Sequence, residues 1–385
     1  MNVAIIGLRG HNTGHPTWTE RGRGLDHYEH LAGIKNVRIT HVVDIDERHF
    51  GTSLPYAKDK WGGDPKTETD FRRVLDNRDV DAVTIAAPDH WHALMTILAC
   101  QAGKDVYVEK PISHNIVEGR RMIEAARRSN RVVQVGTQAR SGRAAGQSRP
   151  VRARWRTRNL YMGKTVINRP RDPIGVAADG QVPPGVHYDL WMGPAPEHPF
   201  NEHRFHYYWH WFWDYGTGDL GNTAVHTLDA TRWLLGKQEH PRTVYCSGGT
   251  YEDGAPTDQQ TPNTQSATYR LRGRDGAALR PAELVQWTTG GAGRFRLRLQ
   301  GLDEGRQRQG RGVLRTARSE AGADADQRRE ARFGTGSRGT GALRELHRGR
   351  PVASVGHRCM PRSRRAICRR PSATWATSRI EWDGR

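Results

Sequence analysis

The chain has 385 residues, 35% of them hydrophobic, and a formal net charge of +19. That length has room for two domains. The charge invites a nucleic-acid reading, but its distribution argues against it: residues 271–385 carry 26 Arg against 11 acids, while residues 1–270 hold 34 basic and 30 acidic residues. No apolar run reaches the roughly 18 residues of a transmembrane helix, so no membrane partner is expected.

The first element is a buried strand, Val3–Ile6, which follows Met1 directly. A basic-then-apolar leader is missing there, which points to the cytoplasm. The strand ends at Gly7, and Gly10, Gly14, Gly22 and Gly24 follow before a helix over Leu25–Leu31. Glycines in such a turn let the backbone approach a pyrophosphate whose charge rests on the helix N-terminus. The spacing is irregular, with His11–Glu20 reading as an insertion, and an ordinary glycine-rich loop is an equal reading of these residues alone. A second strand, Val37–Val43, ends in Asp44. An acid there accepts hydrogen bonds from the adenosine ribose and repels a 2′-phosphate, which favours NAD over NADP.

A helix near Thr69–Leu75, a strand Ala82–Ala86, a helix Trp91–Ala102 and a strand Asp105–Val108 continue the alternation, followed by a helix Val117–Arg127 and a strand Val132–Val135. This β-α order predicts a doubly wound parallel sheet over residues 1–138. Ligands of such sheets bind at the carboxyl edge. Pro88 and Glu109-Lys110-Pro111 fall at that edge. A lysine there steadies the alkoxide that develops on a substrate hydroxyl; the plainer reading is a surface lysine paired with Glu109. In Pro88-Asp89-His90-Trp91-His92, the plain reading is a capping Asp89 with exposed histidines.

Residues 139–270 predict a second, α/β domain. Phe205–Tyr215 (FHYYWHWFWDY) is the densest aromatic segment. Its rings suit either a sugar-stacking site, with Trp209 and Trp213 as the platforms, or a core. A glycine box, Gly216–Gly221, leads into a helix reaching about Leu235. Asp219 lies in the box, and Asn222, His226 and Asp229 fall on one helix face. His226 is the best proton-transfer candidate because its pKa lies near working pH. The four cysteines show no paired spacing, and no HExxH accompanies His226, so neither disulfides nor a metal site is expected.

The tail differs in kind. From Leu271 onward there is no Lys, Asn or Tyr, while Arg and Gly abound. Loss of the residues with AT-rich codons is what a GC-rich gene read out of frame would give, so residues 271–385 read as a frame-shifted segment; a basic, disordered tail is the alternative. Gly142–Arg158 has the same character. With the tail out of frame, strands of the second sheet would lack partners, leaving it incomplete and the chain prone to aggregate.

Ala87–His92, Ala102–Pro111, Gln134–Gln138 and Gly218–Gly236 together resemble the glucose–fructose oxidoreductase / inositol dehydrogenase / rhizopine catabolism family, Gfo/Idh/MocA. The resemblance implies a Rossmann domain followed by an α/β domain with a large, mostly antiparallel open sheet, and family-typical homo-oligomers. It makes Lys110 and His226 the catalytic pair, His92 the cofactor-proximal histidine and Asp44 the ribose acid. Gly7, Gly10, Gly24, Pro88, Glu109 and Gln138 complete the NAD set; Asp219, Asn222, Trp209 and Trp213 form the substrate set. The implied reaction is hydride transfer between NAD and a secondary alcohol of a sugar or polyol. NAD-dependent glycosidases among the relatives, and an inactive product, are the alternatives. Asn222 stands where many members have Asp, and the family's GxGxxG is broken here.

Overall fold

The computed structural model describes residues 1–8, 22–141, 159–166, 174–235, 237–251 and 256–271, together with three later strands. The expected double shift at Gly142–Arg158 lies outside these residues, as does most of the tail.

The first sheet has six strands, β1 (Asn2–Ile6), β2 (Arg38–Val43), β3 (Lys66–Glu68), β4 (Ala82–Ile85), β5 (Asp105–Val108) and β6 (Val133–Val135), in the order β3-β2-β1-β4-β5-β6. Every pairing is parallel. Alternation along β1 builds two cores. Val3 and Ile5 face a cluster with Leu25, Tyr28 and Leu54, whereas Ala4 and Ile6 face one with Phe71, Met95 and Met122. Burial on both faces is why the strands read as continuous apolar runs.

Helices α1 (Arg23–Ala32), α2 (Arg48–Trp61), α3 (Phe71–Asp76), α4 (Asp89–Gln101) and α5 (Ile116–Arg128) connect them. α2 and β3 escape a reading of the sequence. Gly51 and Pro55 lie inside α2 and look like breakers. The helix forms because Leu54 and Ala57 bury against the second core, and because Asp46 Oδ1 accepts from the Arg48 amide at 3.1 Å where the helix starts.

The second sheet contains β7 (Asn159–Val166), β8 (Thr243–Gly249), β9 (Thr264–Arg270), β10 (Leu284–Thr288), β11 (Arg296–Leu302) and β12 (Gly310–Val313), ordered β12-β11-β7-β10-β9-β8. It is antiparallel except at β10–β7. Three of its strands, β10, β11 and β12, follow Arg270 and pair with β9, β7 and β11 respectively. Val285–Thr288 alternates apolar and polar residues, a short strand signal that the arginine-rich composition around it obscures.

Between the sheets, α6 (Tyr188–Met192) and the aromatic segment build a third core of Tyr188, Trp191, Phe205, Trp211, Phe212 and Tyr215. Tyr188 stacks on Trp191 with centroids 5.5 Å apart, and Trp191 meets Tyr215 at 4.7 Å. Helix α7 (Val225–Leu234) follows a π-helical turn at Leu220–Ala224. Among the described residues no helix is long and apolar enough to cross a membrane.

Candidate active site

A cavity of about 370 Å³ opens at the carboxyl edge of the parallel sheet, where β1 and β4 diverge. That crevice is where doubly wound sheets hold ligands. Gly7, Asp44, Pro88, His92, Glu109, Lys110, Trp209 and Asn222 line it.

Two glycines make the first turn possible. Gly7 has φ +85°, and a Cβ there would lie 2.6 Å from the Ala86 carbonyl oxygen. A Cβ on Gly24 would lie 1.8 Å from the Gly7 oxygen, so α1 approaches the turn only because residue 24 has no side chain. Gly24 thus performs the close-packing task of the last glycine in a dinucleotide fingerprint, despite the irregular spacing. Gly10 lies outside the described residues. Asp44 is buried; its Oδ2 accepts from the Leu8 amide at 2.7 Å and its Oδ1 from the Asp46 amide at 3.0 Å. The carboxylate therefore fixes the turn as well as facing the cavity. The positive-φ turn, the bare helix start and the acid after β2 fit NAD, with Gly7, Gly24 and Asp44 the residues that would hold it.

Glu109 is 3% exposed and sits in a buried network. Its Oε1 accepts from Arg23 Nη2 at 2.9 Å and Gln138 Nε2 at 2.8 Å, and lies 3.1 Å from His27 Nε2. Burial alone would raise its pKa, but Arg23 and His27 outweigh that and hold the carboxyl well below its usual range. Gln138 also donates to the Tyr107 hydroxyl at 3.0 Å. Glu109 is consequently engaged with Arg23 and His27, and Lys110 is directed elsewhere: its Nζ donates to Asn222 Oδ1 at 2.6 Å and to the Asn222 carbonyl at 2.8 Å. Lys110 is partly buried and lines the cavity rather than forming a surface pair with Glu109, although its charge still helps hold the Glu109 carboxyl ionised. Arg23 and His27 carried no sequence signal, since their partner lies more than 80 residues away.

Asn222 lies in the π-turn, a helix irregularity common at functional sites. His226, on the first turn of α7, is partly buried; burial first and the Lys110 charge second lower its pKa to about 4. Asp229 points away into an ion pair with Arg140, Oδ1 to Nη2 2.5 Å. Asp219 is buried and accepts from the Thr223 hydroxyl at 3.3 Å.

The histidines of α4 are buried, correcting the expectation of exposed ones. His92 Nδ1 lies 2.6 Å from the Pro111 carbonyl and its Nε2 2.8 Å from that of Ala87. His90 Nε2 lies 3.0 Å from the Trp191 carbonyl. Asp89 makes no capping bond; it accepts from the Thr217 hydroxyl at 2.7 Å, and burial raises its pKa. The PDHWH segment thereby joins the two domains. Of the aromatic pair, Trp209 faces the cavity and stacks on His210 with centroids 3.6 Å apart, whereas Trp213 is 54% exposed and outside the cavity lining. Most of the segment's rings are core, which resolves the two readings largely toward packing.

Residues 1–137 match the model of the oxidoreductase family's NAD-binding Rossmann fold, and residues 175–258 that of the oxidoreductase family's C-terminal alpha/beta domain. Inositol 2-dehydrogenase from Salmonella typhimurium is 31% identical over 115 residues, 29% of this chain and 33% of that protein. Glycosyl hydrolase family 109 protein 2 from Shewanella sp. (strain MR-4) is 34% identical over 116 residues, 29% of this chain and 25% of its own length. The matches thus span about a quarter to a third of these relatives. The WlbA dehydrogenase from Bordetella pertussis, solved with NADH and UDP-GlcNAcA, shares the fold with a TM-score of 0.56 at 18% identity, covering 90% of this chain and 86% of that one. The two matches, over residues 1–137 and 175–258, place this chain in the Gfo/Idh/MocA oxidoreductase family, with an NAD-binding Rossmann domain at its N-terminus.

Proposed function

We propose that the protein is an NAD-dependent dehydrogenase of a secondary alcohol on a sugar or polyol. The observation that carries this reading is the contact between Lys110 Nζ and Asn222 at the mouth of the dinucleotide crevice. It joins the end of β5 to the start of the α7 segment, so a charged donor and the glycine box meet at one point.

Bound NAD supplies the hydride acceptor. Lys110, hydrogen-bonded to Asn222 at the cavity wall, brings its ammonium charge to the substrate hydroxyl and stabilises the alkoxide that develops there. His226 is neutral at working pH because of its depressed pKa, so its imidazole is ready to take the hydroxyl proton. Asn222 holds Lys110 and accepts a neighbouring hydroxyl. Trp209 belongs to the substrate side of the pocket; Asp219 and Trp213 lie outside its lining, and Asp219 acts by accepting from Thr223 within the glycine box. Glu109, Gln138 and His92 keep the nicotinamide end of the crevice rigid.

Purified full chain, NAD and a panel of sugars and polyols test this reading by NADH absorbance. Net NADH accumulation is expected, and Lys110→Met should lower kcat/KM by about 10²-fold or more while NAD affinity is unchanged. Release of an aglycone from glycosides with no net NADH would overturn it in favour of the redox glycosidase, and so would unchanged turnover in Lys110→Met.

A further inference from the structure

At the far end of the same cavity, three side chains converge that the hydride chemistry does not use. Asp46, His49 and His206 each offer one donor atom, and these atoms lie within 4.8 Å of one another. Asp46 Oδ2 is 3.2 Å from His206 Nε2 and 3.8 Å from His49 Nε2. Donors bound at about 2.0–2.2 Å around tetrahedral zinc stand about 3.4 Å apart, so the two spacings bracket the value a metal would impose. Asp46 is 1% exposed and His49 6%. We propose that Asp46, His49 and His206 form a binding site for a divalent transition metal of the zinc class.

Three further observations support the site. His49 Nδ1 lies 3.1 Å from Asp44 Oδ2, near enough for the carboxylate to act on the ring electrostatically though outside hydrogen-bond geometry, while its Nε2 faces Asp46 Oδ2. His206 has φ +51°, a left-handed conformation unusual outside glycine, and this conformation brings its ring to Asp46. His49 and His206 line the cavity, which leaves a fourth position open to a small ligand.

A cation already stands at this place. Arg48 Nη2 lies 2.6 Å from Asp46 Oδ2 and 3.4 Å from His206 Nε2. Its side chain is 48% exposed, so it can swing into solvent as the metal enters, while Asp46 Oδ1 keeps its bond from the Arg48 amide. Guanidinium and metal compete for one carboxylate oxygen, which gives the proposal a sign that a purely structural histidine pair lacks. The ion would also clasp the start of α2 to the beginning of the aromatic segment, across a spacing of 157 residues between His49 and His206 that no sequence motif spans.

Chelator-treated full chain is titrated with Co²⁺ alone, followed by the visible absorption of tetrahedral Co²⁺ and then displacement by Zn²⁺. One Co²⁺ per chain with a tetrahedral spectrum is expected. His206→Gln should weaken binding at least about 10²-fold, given that even outer-shell partners are worth 10–100-fold. Arg48→Ala, an exposed change, should tighten it. An octahedral or absent spectrum overturns the site. So does unchanged affinity in His206→Gln, or unchanged or weaker affinity in Arg48→Ala, which stays informative if the histidine variant fails to fold. None of these readouts depends on dehydrogenase turnover.

Discussion

The two sheets of this protein are built on opposite terms. The parallel sheet is covered on both faces, so β1, β4 and β5 are buried at nearly every position. The mixed sheet presents β8 as an edge whose residues are exposed almost throughout, with Val244 57% and Tyr245 70% exposed. The first sheet's strands are held by helices packed on each face, and its chemistry sits at the carboxyl edge where α1 and α4 begin. The second sheet is held by strand pairing and by packing at buried positions such as Thr165 and Ala267, and among the described residues β8 forms its exposed edge. Buried parallel strands therefore fix the position of the crevice, while the outer sheet has freedom to vary.

Three measurements sharpen or break this contrast. The largest effect should come from Gly24→Ala, where the new Cβ meets backbone at the tightest helix–strand contact. Overpacking of this kind costs about 3 kcal/mol or more, and NAD binding should fall with it. A variant with wild-type stability in urea would show that the parallel sheet is less rigidly packed than its glycines imply.

The junction between the sheets is next. Burial lowers the pKa of His90 to about 4, and it is 4% exposed. The folded state therefore keeps it neutral, while the unfolded chain protonates it below about 6.5. Stability is full above that value and falls as pH drops toward 4. The loss is about 2 kcal/mol from His90 between pH 6.5 and 5, with His226 adding in the same direction. Denaturant midpoints at the two pH values check this, and His90→Gln should reduce the difference. Equal midpoints in the parent chain would mean that the junction does not bury His90.

The smallest effect is expected on the outer sheet. Val244→Lys should change monomer stability by less than about 0.5 kcal/mol, as for exposed sites in general. A loss above about 1 kcal/mol, read by the same denaturation, would show that β8 is covered in solution and that the two sheets are more alike than their exposures suggest.

Most of the parallel sheet is legible in the sequence because its strands, β3 excepted, carry short apolar runs. Such runs bounded by polar turns need no knowledge of distant partners, and Asp44 and Lys110 were legible because each follows one. α2 was hidden by Gly51 and Pro55, whose local meaning was overridden by burial of Leu54 and Ala57. Strands β10 to β12 were hidden by the composition around them. Burial of the α4 histidines was hidden because the carbonyls that accept them, those of Trp191 and Pro111, belong to other segments.

The sequence by itself determined the alternation of strands and helices, the edge where Lys110 sits and the family resemblance, because these depend on periodicity and on short contiguous motifs. Only the tertiary structure decided that Glu109 is engaged by Arg23 and His27, that Lys110 turns to Asn222, that Gly24 rather than a regular fingerprint closes the first turn, and that Asp46, His49 and His206 share one point. The physical reason is the same in each case: hydrogen bonds, close contacts and donor sets act over a few ångströms in space, and the residues that make them are separated along the chain by distances that carry no pattern.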